Sequence, residues 1–152
     1  VDLAAELPRL FPLAVAWAEE QSTRILTAGE PLSDSAFVLA RLVGVREPAR
    51  VRLLVVPEVP APTDPLLRAA CAELKFLDAG TLGLTLGSGI FVKKGLQSDR
   101  RLVAHELRHV AQYEQVGSIE AYLAIYVPDL IRFGPTAAPL EIDAKRAAAS
   151  CV

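Results

Sequence analysis

Apolar residues recur at Leu10, Leu13, Ala14, Trp17 and Ile25, the stripe of a helix running from about Pro8 to Ala28. "PLSDSAFVLARLVGV" keeps the same period, between an N-cap at Ser33 or Asp34 and a stop at Gly44. The period then changes. "VRLLVVPEV" is a short β-branched run and predicts a buried strand. The proline-rich "PEVPAPTDP" reads as a loop, and its Asp64 is placed to cap a helix from about Pro65 to Phe76. "TLGLTLGSGIFVKK" alternates, with Leu82, Leu84 and Leu86 on one face, and predicts a hairpin turning at Gly87-Ser88-Gly89. "SDRRLVAHELRHVAQYEQVG" returns to the helical period between a Ser98 or Asp99 cap and Gly117. A further helix is expected from Ser118 to about Phe133, bent or ended near Pro128. Beyond the Gly134-Pro135 break, "APLEIDAKRAAAS" predicts a last, alanine-rich helix.

Several helices around a few clustered strands make the expected class α+β. At 152 residues, one domain over 1–152 with its own core is the natural reading. Hydrophobic residues make up 52% of the chain, yet the richest run, "AYLAIYVPDLI", is interrupted by Pro128 and Asp129. It is far short of the ~18 residues a transmembrane span needs. The composition implies a dense core with some apolar surface left for a protein partner. Sixteen basic and 18 acidic residues leave a net charge of −2 with mixed signs, so nucleic-acid binding has no electrostatic footprint. Cys71 and Cys151 cannot build a disulfide framework and read as thiols, with Cys71 in "RAACAEL" at a buried helical position. The chain begins at Val1 and lacks methionine, which leaves any leader and the localisation open.

Both histidines of the chain lie in "HELRH". Residues four apart share a helix face, so His105 and His109 aim their rings at one point. Leu102, Val103, Leu107 and Val110 supply the face that packs inward. Two imidazole nitrogens so placed suit zinc, with Glu106 beside them as the general base of the H-E-x-x-H arrangement. The competing reading is a pair of solvent-facing or hydrogen-bonded histidines. The capped helical context favours the metal.

A catalytic zinc usually takes three protein ligands. The metzincin pattern is excluded, because its glycine and third histidine are replaced by Gln112 and Gln115. Cys71 sits in an expected helix and lacks the surroundings of the deformylase cysteine. Glu114 and Glu120 follow too closely to fold back, and Asp129 lies at the Pro128 break. Glu141, at the start of the last helix, leaves room for one helix to go out and another to return. Ala144, Ala147 and Ala148 would let that helix approach closely. Glu141 is therefore the preferred third ligand, against the alternative of a first-turn carboxylate pairing with Lys145.

With "HELRH", a following helix, a Gly-Pro break and "PLEIDA", residues 81–149 resemble the gluzincin clan of zinc metallopeptidases. More narrowly they resemble short bacterial gluzincin-like proteins reading "AHELxHVxQY…PxExxA". The resemblance implies a zincin-like, helix-rich domain with a small sheet ahead of the active-site helix. It implies His105, His109 and Glu141 as ligands of Zn2+ and Glu106 as the catalytic base. Many gluzincins carry an aspartate four residues after the glutamate ligand to orient a histidine. Lys145 stands there in this chain, and Asp143 could substitute only if the backbone turned it inward.

Three functions follow. The first is a zinc metallopeptidase hydrolysing peptide bonds of a peptide or protein substrate with a zinc-activated water and Glu106 as base. Tyr113, Tyr122, Tyr126 and Arg132 are then candidates to steady the oxyanion, and the "TLGLTLG" strand either offers an edge to a peptide or pairs with "VRLLVV". The second is a catalytically silent, zinc-stabilised interaction module. The third is a peptidase domain of a larger toxin-like or membrane-linked assembly.

Overall fold

The computed structural model describes residues 2–151. Among them, six α-helices surround one four-stranded sheet, an α+β architecture as expected. In chain order the elements are α1 (Leu3–Ala28), β1 (Glu30–Pro31), α2 (Asp34–Leu42), β2 (Arg52–Val56), α3 (Pro65–Leu74), β3 (Gly83–Leu86), β4 (Gly89–Lys93), α4 (Arg100–Val116), α5 (Ile119–Phe133) and α6 (Pro139–Ala149). Among the described residues, no helix is long and apolar enough to cross a membrane.

The sheet order is β1-β2-β4-β3. β2 runs parallel to β4, while β1 and β3 are antiparallel to their neighbours. The "TLGLTLG" segment therefore pairs with "IFVKK" alone, and β3 is an edge strand. All of β4 except its end is buried because helices cover both faces. Ile90 and Val92 pack with α2 and α4, whereas Phe91, pointing the other way, packs with α1 and α5. The β3–β4 loop has only two residues, Gly87 and Ser88, with Gly87 at φ +67°, where glycine is favoured.

Local capping explains most helix boundaries. Ser33, Asp64, Asp99 and Ser118 each accept a backbone N–H in the first turn of the following helix. Three expectations need correction. α1 starts at Leu3, capped by Asp2, and continues through Pro8 and Pro12, held by its inward stripe of Leu10, Ala18, Ser22 and Ile25. α3 ends at Leu74, short of Phe76, because Lys75 turns left-handed at φ 54°. α5 reaches Phe133 as expected, continuing through Pro128 rather than ending there. β2 is not a buried strand: only Val56 is buried and Val55 is exposed, since the two-residue β1 covers little of its flank.

A candidate metal centre between α4 and α6

Asp99 and Gly117, the latter at φ +92°, set the start and the end of α4. Val103, Leu107 and Val110 point into the core, which leaves His105 and His109 on the flank facing α6. Their rings meet edge to face, with centroids 4.9 Å apart and planes at 79°. The two Nε2 atoms stand 3.2 Å apart. Glu141 Oε1 lies 3.1 Å from the first and 3.2 Å from the second. A tetrahedral ion with ligand bonds of 2.0–2.1 Å needs ligands about 3.3–3.4 Å apart. The triangle thus has the size of one tetrahedral face, and the nitrogen and carboxylate donors fit a divalent cation. Among the described residues, His105, His109 and Glu141 form the only group of three that could hold a metal ion.

Glu141 reaches the histidines because α6 lies against α4 through small side chains, with Ala144 and Ala148 buried between them. Its second oxygen accepts the Tyr126 hydroxyl at 2.8 Å, leaving Oε1 for the triangle. Burial opposes charge on both partners, but their contact prevails. His109 is held up to about 9 against that burial by Glu141. Glu141 is held well below the usual carboxylate range by the two histidines, despite its own burial. Burial, then the Glu141 charge, pushes the Tyr126 hydroxyl well above its ordinary value, so it stays a donor.

Glu106 points toward β3. Its Oε1 accepts the Thr85 hydroxyl at 2.8 Å, and both residues are 5% exposed. Gly83 leaves room for the same carboxylate: a Cβ there would lie 3.1 Å from Glu106 Cγ and 3.3 Å from Oε2. Leu82 O accepts from Lys93 N, so the alternating ladder turns the backbone groups of Gly83 and Thr85 away from β4. That free edge, Glu106 and the histidines line one cleft of about 540 Å³, whose far wall includes Trp17, Phe76, Leu123 and Val127.

His109 Nδ1 faces Gln112 Oε1 at 2.8 Å and the Tyr122 oxygen at 3.2 Å. Gln112 Nε2 donates to Leu140 O at 3.0 Å and to Asp143 Oδ2 at 2.8 Å. Arg108 grips Asp143 through Nε at 2.8 Å and also donates to Val43 O. Asp143 therefore reaches the site through Gln112 without any turn in the backbone, because α6 is helical throughout and Asp143 flanks its buried alanine stripe. Lys145 is exposed and bonds to Thr136 O.

The other candidates lie elsewhere. Glu114 caps the backbone N–H groups of Arg46 and Glu47. Glu120 and Asp129 are not among the residues that could hold a metal ion. Arg132 lies over the Phe133 ring. Cys71 is half-buried on the cleft wall rather than fully buried, with its thiol pushed up by desolvation. Tyr113, Tyr122 and Tyr126 are core residues, the first two stacked with centroids 3.7 Å apart, and the latter two reach the site with their hydroxyls. Gln112, Thr85 and Gly83 were missed. Gln112 was findable, since it follows His109 at helical i,i+3 spacing, and Thr85 is the lone polar residue in "LGLTLG".

Residues 67–117 match the family model of the eCIS core domain. That stretch runs from α3 to the end of α4, with Thr85, His105, Glu106, His109 and Gln112 but without Glu141. The similarity covers about a third of the chain, and it is to this family rather than to a gluzincin one. No curated protein and no solved structure matches the chain.

Proposed function

We propose that the chain is a zinc-dependent hydrolase module acting on peptide bonds within a larger toxin-like injection assembly. The observation that carries the reading is the closed His105–His109–Glu141 triangle with Glu106 adjacent, in a cleft bounded by a free strand edge. The assembly context is supported by similarity to the core domain of extracellular contractile injection systems. Bound at the triangle, zinc would supply Lewis-acid activation of a water and of a substrate carbonyl.

The chain's own residues supply the rest. Glu106 accepts the proton of the attacking water, its carboxylate aimed by Thr85 and given room by Gly83. An extended peptide is held by the unpaired backbone groups of Gly83 and Thr85. The apolar wall excludes water around the reacting groups. Tyr126 holds Glu141 in place and keeps its proton.

The test compares the zinc-loaded protein with Glu106→Gln on a peptide library. Retained zinc with lost cleavage is expected, and unchanged cleavage overturns the base assignment. A second reading, the zinc-stabilised interaction module, is favoured by the match being to an assembly domain. A metal-free form melting far below the loaded one, with no turnover on any peptide, selects it.

A further inference from the structure

Resting on that metal reading, we infer that Gln112 is a positioning residue, which pins a proton on His109 Nδ1 and so reserves Nε2 for the cation. A glutamine amide has one accepting and one donating end. The two groups facing Gln112 Nε2 are a backbone carbonyl, Leu140 O, and a carboxylate, Asp143 Oδ2, and both can only accept. The donating NH2 must therefore face α6, which turns Oε1 toward His109. Facing an acceptor at 2.8 Å, Nδ1 must carry its hydrogen. Tyr122 agrees: its hydroxyl donates to Gln112 Oε1, so its oxygen too can only accept from Nδ1–H. With Nδ1 protonated, the lone pair of the neutral ring lies on Nε2, the atom in the triangle.

The chain of constraint extends further. Asp143 is held by two bonds from Arg108, which is anchored in turn on Val43 O just past α2. Gln112 is 5% exposed, so no solvent competes for its amide. The orienting carboxylate thus acts through an intervening amide rather than by direct contact with the imidazole. Losing such a partner typically weakens metal binding by about 10–100-fold.

Zinc affinity of the full chain, read by competition with a chromophoric chelator, tests the relay. The readout needs no substrate. Gln112→Leu, close in volume, should bind zinc about 10–100-fold more weakly. Asp143→Asn gives Gln112 a partner that can also donate, frees the amide to flip, and should weaken zinc by about tenfold. Glu114→Gln, on the same helix but bonded only to the Arg46 and Glu47 region, serves as the control and should leave zinc affinity unchanged. Either relay variant binding as tightly as wild type overturns the inference, as does an equal loss in the control. If Gln112→Leu does not fold, Asp143→Asn decides alone. A wild-type chain that takes up no zinc overturns the metal reading itself, and this inference with it.

Discussion

Replacing Thr85 by valine removes one hydroxyl and keeps the β-branched shape that suits β3. In the wild type that hydroxyl sits 2.8 Å from Glu106 Oε1 and 3.0 Å from Glu106 O, with one proton to share between them. Hydrogen bonds to charged groups contribute about 1.5–3 kcal/mol. The valine methyl, buried where the hydroxyl was, returns about 0.8 kcal/mol. The difference is a net loss of about 1–2 kcal/mol, or a fall in Tm of about 2–8 °C for a chain of this size. Urea unfolding of the metal-free protein measures it directly, without the contribution of a bound ion. A double-mutant cycle sharpens the attribution: Glu106→Gln keeps an acceptor oxygen but not the charge, so the coupling should drop by about half. Stability within about 0.3 kcal/mol of wild type would refute the bond as a restraint on Glu106. So would full additivity of the two changes.

Two more outcomes are expected. Gly89→Ala places a Cβ 2.9 Å from Ile25 Cβ and Cγ2, and Ile25 is fully buried and cannot yield, so a loss of about 1–3 kcal/mol is expected in thermal melts. An unchanged Tm would rule out the close approach of α1 to β4. The pH dependence should reverse with metal. In the metal-free protein His109 is raised from 6.5 to about 9, so its contribution is complete below pH 6.5 and lost as pH climbs through 9. Glu141 is lowered, so its contribution is present above 4.5 and lost as pH falls through its folded value. Zinc at the triangle would compete with protons for the same Nε2, so the stability gained on adding zinc should grow across the range where the metal-free protein weakens. Parallel melting series with zinc and with chelator show it, and a zinc gain that shrinks as pH rises contradicts the assignment.

What the sequence revealed was the part written at short range. "HELRH" places two imidazoles on one face whatever surrounds them, because the spacing is a property of the helix. Asp64, Asp99 and Gly117 marked helix ends because caps act within a turn of themselves. Glu141 was found by asking which carboxylate could return to the histidines, and the small residues after it pointed to a close packing that the structure contains. The role of Asp143 was not legible, because it depends on an amide 31 residues earlier bridging two helices. Thr85 escaped for a similar reason: the pairing of β3 with β4, rather than β2, decides what its hydroxyl meets. The modest burial of β2 also depends on partner length, which its own run of β-branched residues does not encode.

The division of the site between two parts of the chain has a physical consequence. The stretch similar to the eCIS core domain holds both histidines and Glu106, while Glu141, the third corner of the triangle, arrives on α6, outside it. α6 buries little apolar surface of its own. Ala144 and Ala148 are its fully buried side chains, Leu140 and Ala147 are half-buried, and Ile142 is exposed. At about 0.8 kcal/mol per buried methyl-sized group, two alanines hold a helix weakly against the entropy of ordering it. The rest of the grip is polar: Glu141 on the histidines, Asp143 on Arg108, Gln112 on Leu140 O, and Arg100 Nε on Cys151 O at 2.7 Å. The first of these depends on a proton at His109 when no cation is bound, and a cation can take over that role. A cation held by the triangle would therefore be linked to the docking of α6 on α4, each strengthening the other. A segment limited to the matched stretch would keep both histidines and lose Glu141, and with it the triangle that could hold a cation.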